Sequence, residues 1–163
     1  MPTMNAIPSR TNMRRYASTT TVPVEHSRAE IEKLLQRHGA TGFLYGWQDD
    51  KARIEFLMKT RHLRFVLALP DRLADEFSRT PGKRSLRRPE DRDHAWEQAC
   101  RSSWRALLLI IKAKLEAIEV GVSVFEQEFL AFIVAPNGKT VGEIIIPQLM
   151  AGTSSHLLLP AGD

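Results

Sequence analysis

Basic side chains cluster in a connector over residues 71–90 and continue into the amphipathic segment that follows it. The candidate phosphate-binding residues are Arg79, Lys83, Arg84, Arg87, Arg88, Arg101 and Arg105. A row of guanidinium and ammonium groups binds phosphate oxygens with an affinity that depends strongly on salt. Acidic residues lie among them, so the segment also fits a solvated loop of mixed charge. We expect a DNA-backbone interface with limited base specificity, because no recognition-helix or zinc-finger pattern accompanies the cluster.

A second basic group falls on the predicted sheet, where Arg53 and Arg64 extend the candidate DNA-binding surface. Tyr45 and Trp47 would add stacking surfaces for single-stranded bases if they lie on the same face. They belong to the core instead if they share the face of Ile54 and Phe65, and the usual burial of aromatic residues favours that alternative.

The chain shows no catalytic signature, and its one cysteine, Cys100, excludes an intramolecular disulfide and a multi-cysteine zinc site. The five histidines have no metal-ligand spacing. Asp91, Asp93 and His94 superficially suggest a hydrolytic cluster, but acidic residues at the start of a helix are ordinary caps. The sequence therefore predicts no cofactor and no metal, and an enzyme is the weakest reading.

Composition is that of an ordinary globular protein: 163 residues, 43% hydrophobic, with a formal net charge of +4. One domain is expected over residues 18–150, with tails at 1–17 and 151–163 and a mobile basic loop at 71–90. The first twenty residues lack the apolar core of a secretory signal, and no run is long enough to span a membrane. We expect a cytoplasmic protein.

The first half of the chain predicts a sheet and a short helix. Thr19 to Val24 reads as an edge strand because Pro23 cannot donate a ladder hydrogen bond. Ser27 with Glu30 forms a capping-box pattern for a helix that Gly39 ends. Three alternating segments between residues 41 and 69 then predict an antiparallel meander.

The second half predicts helices. Apolar residues spaced three and four apart indicate one long helix from about Asp93 to Glu119, which Gly121 ends. Ser123 with Glu126 reads as a capping box at the start of a further helix, and Thr140 with Glu143 opens a final apolar segment through Met150. Pro147 would kink or terminate the last one. The fold class is α+β: a meander plus an edge strand, packed against a short helix, a long helix and two C-terminal helices.

Several stretches resemble small uncharacterised proteins of bacteriophages and bacterial mobile elements. They are TTTVPVEHSRAEIEKLLQRHGATGFLYGW, RIEFLMKTRHLRFVLALPD, AWEQACRSSWRALLLIIKAKLEAIEVGVSVFEQEFLAFIV and PNGKTVGE. The resemblance covers most of residues 19–143 and implies a phage or prophage setting inside a host bacterial cell, without implying a catalytic residue. The order of elements is also similar to that of phage single-strand annealing proteins, which is a fold-level likeness alone.

These observations favour a phage-associated, non-enzymatic DNA-binding or recombination accessory protein, which acts as a homo-oligomer so that weak contacts add up. The alternative is a protein-binding module, such as an inhibitor of a host defence complex or a scaffold subunit. Its interface would use Leu108, Leu109, Ile144 to Ile146 and Leu157 to Leu159.

Overall fold

The computed structural model describes residues 19–82 and 84–152. It has the α+β architecture that the sequence predicts, a three-stranded antiparallel meander with five helices. The strands are β1 (Gly42–Gln48), β2 (Lys51–Met58) and β3 (Arg61–Ala68). The helices are α1 (Val24–Arg37), α2 (Asp75–Ser78), α3 (Pro89–Glu119), α4 (Phe125–Phe129) and α5 (Val141–Ala151), with a 3₁₀ helix at Leu130–Phe132 between the last two.

The meander forms because apolar residues alternate along β2 and β3. Ile54 pairs with Tyr45 on one side and with Phe65 on the other, so all three side chains share one face of the sheet. That face is the core face, on which Ile54 and Phe65 are buried and Tyr45 is partly buried. The prediction that the aromatic residues of β1 belong to the core is confirmed for Tyr45. Trp47, at the end of β1, is 72% exposed.

The core lies between this face of the sheet and the helices. α3 supplies the largest share of it, including Trp104, Leu107, Ile111 and Leu115. Two-residue turns join the strands, and the turn at Lys59–Thr60 has positive φ at both residues, as in the turns that match the twist of a hairpin. The long helix α3 thus supplies the largest part of the core that covers this face of the sheet.

The predicted edge strand at Thr19 to Val24 is wrong, because the described part of the chain has no strand before β1. The Thr20 carbonyl accepts a hydrogen bond of 2.7 Å from Gln98 Nε2 on α3, and the Val22 amide donates to Thr20 Oγ1. These backbone groups are thus satisfied on α3 and locally, away from the sheet.

The two predicted capping boxes, at Ser27 and Ser123, do not form. α1 begins at Val24, so Ser27 lies inside the helix and is fully buried. α4 begins at Phe125 with Val124 as its cap residue and no side-chain cap hydrogen bond. At α5 the box is present in both directions: Thr140 Oγ1 accepts from the Glu143 amide, and Glu143 Oε2 accepts from the Thr140 amide.

The long helix begins at Pro89, four residues before the predicted Asp93, and ends at Glu119 as predicted. Proline suits the first position of a helix because its missing N–H has no partner there in any case. α5 continues past Pro147 to Ala151, so the proline does not terminate it. The predicted tail at 1–17 lies outside the described residues, as does the tail predicted at 151–163 except for its first two residues, of which Ala151 belongs to α5.

Candidate nucleic-acid interface

The basic connector folds into a tight turn, which we call the basic hairpin (residues 78–88). The Thr80 amide donates to the Ser85 carbonyl at 2.9 Å, and the Arg87 amide donates to the Ser78 carbonyl at 2.9 Å. Arg79 and Leu86 form an isolated antiparallel bridge. Arg84 adopts a positive φ of 50°, which turns the chain back. The sequence predicts a loop for this segment. In the structure, hydrogen bonds between its own backbone groups hold its two arms together.

Arginine side chains of the basic hairpin are exposed and mostly unpaired. Arg79 and Arg84 are exposed and Arg87 is half-buried, and none of the three forms an ion pair with any residue that the structure describes. Arg79 Nη1 donates to the Arg84 carbonyl at 3.2 Å, which joins the two arms. Arg88 is exposed and lies 3.6 Å from Asp91. The predicted contact Lys83 lies outside the described residues.

The base of the basic hairpin is fixed to α3. Phe77 of α2 is buried, and Trp96 Nε1 donates to the Pro70 carbonyl at 2.7 Å. Arg72 forms an ion pair with Asp93 at 2.9 Å, and its guanidinium carbon lies 5.3 Å from the centre of the Trp96 ring. No local pattern predicts these two contacts of α3, because each joins residues more than twenty positions apart.

Arg101 and Arg105 do not continue the surface of the basic hairpin. Thirteen residues separate Arg88 and Arg101, which is about 220° around a helix and about 20 Å along it. Arg101 donates to Gln98 Oε1 at 2.8 Å and lies 3.8 Å from Glu97. Arg105 forms an ion pair of 2.6 Å with Glu30 of α1. Arg101 is thus paired with an amide and a carboxylate of α3 itself, and Arg105 joins α3 to α1.

Arg53 and Arg64 meet on the face of the sheet opposite the core, where they share one carboxylate. Glu55 Oε1 lies 2.8 Å from Arg64 Nε and 3.1 Å from Arg53 Nε, and Glu55 Oε2 lies 2.6 Å from His62 Nε2. Arg64 also donates to the Gly138 carbonyl at 2.8 Å. We call Arg53, Glu55, His62 and Arg64 the Glu55 cluster. In this cluster the Glu55 carboxylate offsets part of the positive charge of the two arginines. Arg64 also links β3 to the turn before α5.

The environment of Glu55 favours its ionised form. Burial acts to raise the pKa of the carboxyl, but the hydrogen bonds from Arg64 and His62 and the charges of Arg64 and Arg53 outweigh it, so the pKa lies below its ordinary value. This cluster was missed at the level of sequence. Its signal is an acidic residue in the middle of β2 with basic residues at neighbouring positions of the same sheet face.

Beside the Glu55 cluster lies an open cleft of about 480 Å³, lined among others by Trp47, Lys51 and Glu143. Trp47, at the end of β1, is the one aromatic residue that lines it, and the Tyr45 ring packs in the core with its centre 5.7 Å from that of Trp104. Of the two aromatic residues considered for stacking, Trp47 alone lies at this cleft, beside arginines that already share the Glu55 carboxylate.

The residues weighed for catalysis serve local contacts. Asp93 pairs with Arg72, Asp91 with Arg88, and His94 lies 3.9 Å from Glu97. Cys100 is buried, and burial raises the pKa of its thiol to about 11. Over the residues that the structure describes, no three His, Cys, Asp or Glu side chains are arranged to hold a metal ion.

The apolar residues of the alternative interface are divided by the fold. Leu108 is 4% exposed and belongs to the core, so its assignment to a surface is wrong. Leu109, Ile145 and Ile146 are exposed, and Ile144 is half-buried. Leu157 to Leu159 lie outside the described residues.

Comparison with protein family models, with curated proteins and with solved structures found no match to this chain. Within the described ranges, none of the helices combines the length and the apolar character that crossing a membrane requires.

Proposed function

We propose that this protein is a non-enzymatic DNA-binding accessory protein that contacts the phosphate backbone through the basic hairpin. The observation that carries the proposal is the set of unpaired arginines, Arg79, Arg84 and Arg87, on a backbone that its own hydrogen bonds hold in place. Residues 78–88 contain five basic residues and no acidic one. Arg79 uses one donor, Nη1, in its bond to the Arg84 carbonyl, and the other guanidinium donors of the three arginines form no ion pair with a described residue and can bind phosphate oxygens.

The contribution of each candidate residue follows from its partners. Arg79, Arg84, Arg87 and Arg88 are the proposed phosphate contacts, and Lys83 extends the set by its place in the sequence. Arg101, Arg105 and Arg64 already have acidic or amide partners, so a phosphate would have to displace those contacts. Arg53 is half exposed beside Glu55, which reduces its attraction for an anion. We therefore assign binding to the basic hairpin and structural roles to the rest.

Such an interface supplies affinity and little sequence discrimination. Side chains on a short hairpin reach the phosphates of either strand form, and contacts to phosphates carry no direct information on the base sequence. The proposal also places this binding in recombination or another transaction of phage DNA in the cytoplasm of a bacterial host, the setting that the resemblance to small phage proteins implies. That setting is part of the proposal.

The test is fluorescence anisotropy with labelled single-stranded and double-stranded oligonucleotides over a salt series. The test variant is Arg84→Glu with Arg87→Glu, and the matched control is Lys33→Glu with Arg37→Glu, which reverses two exposed charges on α1. Each phosphate contact on duplex DNA contributes about −0.9 to the slope of log K against log salt. We expect wild type and control to bind with a slope of about −4, from four or five contacts, and the hairpin variant to lose about two of them.

Two results would contradict the proposal. Absence of binding at low salt removes the activity altogether. Equal loss in the hairpin variant and the control means that net charge, and not the basic hairpin, attracts DNA.

A further inference from the structure

The described part of the chain leaves β1 as an open edge of the sheet. The Thr41 amide donates to the Leu57 carbonyl at 2.8 Å, so the backbone of Leu57 faces β1. Backbone direction alternates along a strand, and Leu57 pairs with Gly42, so Gly42 and every second residue after it face β2. The backbone N–H and C=O groups that face away from the sheet belong to Phe43, Tyr45 and Trp47, and none of them has a backbone partner among the described residues.

The opposite edge of the sheet, at β3, is better protected. Residues 133 and 134 run beside it, and the Val134 amide donates to the His62 carbonyl at 2.8 Å. β3 also carries Arg61 and Arg64, and charged side chains on an edge strand hinder pairing with another strand. β1 has the sequence GFLYGWQ, with no charge and no proline. Because folded proteins usually protect their edges by such means, an unprotected edge indicates that another strand pairs with it.

The side chains of β1 fit a second copy of β1 in antiparallel register. With Tyr45 at the twofold axis all seven residues of the strand pair, and Leu44 of each copy lies opposite Gly46 of the other. Leu44 is 53% exposed, and the space beside Gly46 is open, since an added Cβ would meet nothing within 4 Å. On the other face the same register sets the exposed Trp47 opposite Phe43. β1 therefore presents both a projecting side chain and the gap that receives it.

The charges of the two turns in the meander also select a second copy in this orientation. The β1–β2 turn consists of Asp49 and Asp50, whereas the β2–β3 turn contains Lys59 and is followed by Arg61, and all four side chains are exposed. The two turns lie at opposite ends of the strands, about 20 Å apart. A twofold axis at Tyr45 brings the acidic turn of one copy to the same end as the basic turn of the other. Parallel pairing of two β1 strands would instead place the two acidic turns together.

We propose that this chain forms a homodimer in which two β1 strands pair antiparallel about a twofold axis at Tyr45, which gives one continuous sheet with three strands from each copy. The outward backbone groups of Phe43, Tyr45 and Trp47 then exchange about six hydrogen bonds, because each of the three facing pairs contributes two. An unrelated peptide strand would have to bring its own large side chain to Gly46, which a second copy already supplies. The inference is independent of nucleic-acid binding.

The test is sedimentation velocity of the full chain from about 1 to 100 μM, a range that detects micromolar dissociation constants. The test variant is Leu44→Lys with Trp47→Lys, which places two charges on the edge strand. The matched control is Leu57→Lys with Val66→Lys, which changes two side chains of β2 and β3 that are 48% and 49% exposed. We expect wild type and control to dimerise and the edge variant to raise the dimer Kd by at least about 100-fold, because lysine on an edge hinders pairing.

Circular dichroism melting at the lowest concentration shows whether the edge variant remains folded, and we expect the same transition as for dissociated wild type. A wild-type chain that stays monomeric at the highest concentration overturns the proposal, and so does a dimer that persists in the edge variant. Equal dissociation of the edge variant and the control also overturns it, because the dimer would then respond to net charge alone.

A disulfide tests the register without adding charge. Leu44→Cys with Gly46→Cys puts cysteines at facing positions of the two copies, where Cβ atoms lie about 4.5–5.5 Å apart. The control is Leu57→Cys with Val66→Cys, and the native Cys100 is buried in both. After oxidation at about 100 μM, non-reducing electrophoresis should show a covalent dimer for the β1 variant and a monomer for the control. A dimer in solution that gives no covalent link at β1 uses another surface, which contradicts the proposal.

Discussion

α3 and α5 are both rich in apolar residues, yet they use them in opposite ways. α3 buries Cys100, Trp104, Leu107, Leu108, Ile111 and Leu115 against α1 and the sheet. α5 buries Gly142 alone. The difference lies in what each helix faces: α3 lies between other elements along much of its length, whereas α5 faces a three-residue 3₁₀ helix. Apolar content therefore predicts burial only where the fold supplies a partner surface.

The largest contrast is expected between two isoleucines. Ile111→Ala removes a fully buried side chain of α3 and should lower the free energy of unfolding by about 2–5 kcal/mol. Ile146→Ala removes a side chain that is 54% exposed, and in dilute solution it should cost less than about 1 kcal/mol. Urea unfolding of both variants at about 1 μM measures this difference. Equal losses of unfolding free energy in the two variants would contradict the contrast between α3 and α5. A loss at Ile146 that grows with protein concentration would sharpen it, because it would show that an oligomer covers this side chain.

The next effect concerns the one close contact of α5. Gly142→Ala places a methyl group 2.9 Å from the Ala131 carbonyl oxygen, which is backbone and must shift. We expect a loss of about 1–3 kcal/mol and an α5 that is less firmly packed on the 3₁₀ helix. Hydrogen exchange of α5 amides, compared with those of α3, is the measurement. Gly46→Ala is the control, because its added Cβ meets nothing within 4 Å.

A smaller effect is expected at the start of α5. Thr140→Ala removes the acceptor for the Glu143 amide and should destabilise the protein by about 1 kcal/mol. Thr140→Ser retains the hydroxyl and should restore most of the loss. The midpoint of urea unfolding distinguishes the two, and identical midpoints for alanine and serine would show that the cap does not contribute.

The smallest effect is a dependence on pH. The pKa of Glu55 is lower in the folded chain than its ordinary value, so its ionisation stabilises the fold at neutral pH. That contribution is lost as pH falls through the ordinary carboxyl range toward the folded pKa. Glu55→Gln should therefore be less stable at neutral pH and lose less stability than wild type on acidification.

The pH prediction is checked by urea unfolding of both proteins at neutral and acidic pH. Glu143 and Glu128 also have lowered pKa values, so the comparison with Glu55→Gln isolates the one carboxyl. Equal acid sensitivity of the two proteins would show that ionisation of Glu55 does not stabilise the fold.

Much of the fold could be predicted from local patterns. The alternation of Ile54, Phe56 and Met58 predicts the buried face of β2, and spacings of three and four predict α3 to its last residue. Gly39 and Gly121 follow helices with positive φ, as expected of glycine at those ends. Patterns of this kind succeed because the physics that determines them acts within a few residues.

The errors arise where distant residues decide. The Ser27 and Glu30 pattern is a valid capping signal, but α3 covers that part of α1, and the helix begins three residues earlier with Ser27 buried. The Thr19 to Val24 strand has suitable residues but meets Gln98 of α3. The charge pattern of the sequence also could not distinguish the unpaired arginines of the basic hairpin from arginines that form ion pairs. Arg64 and Arg105 belong to the second group, and their acidic partners are distant in sequence or belong to another element.

The weak attachment of α5 has a consequence for how this protein tolerates change. Most substitutions are constrained first by stability, and a surface that contributes little to it is free of that constraint. Ile145, Ile146 and Leu149 can therefore be exchanged for other side chains while the core stays intact. Related chains of the same fold could differ in what they associate with through this helix alone, and an engineer could choose a new partner there without redesigning the rest of the protein.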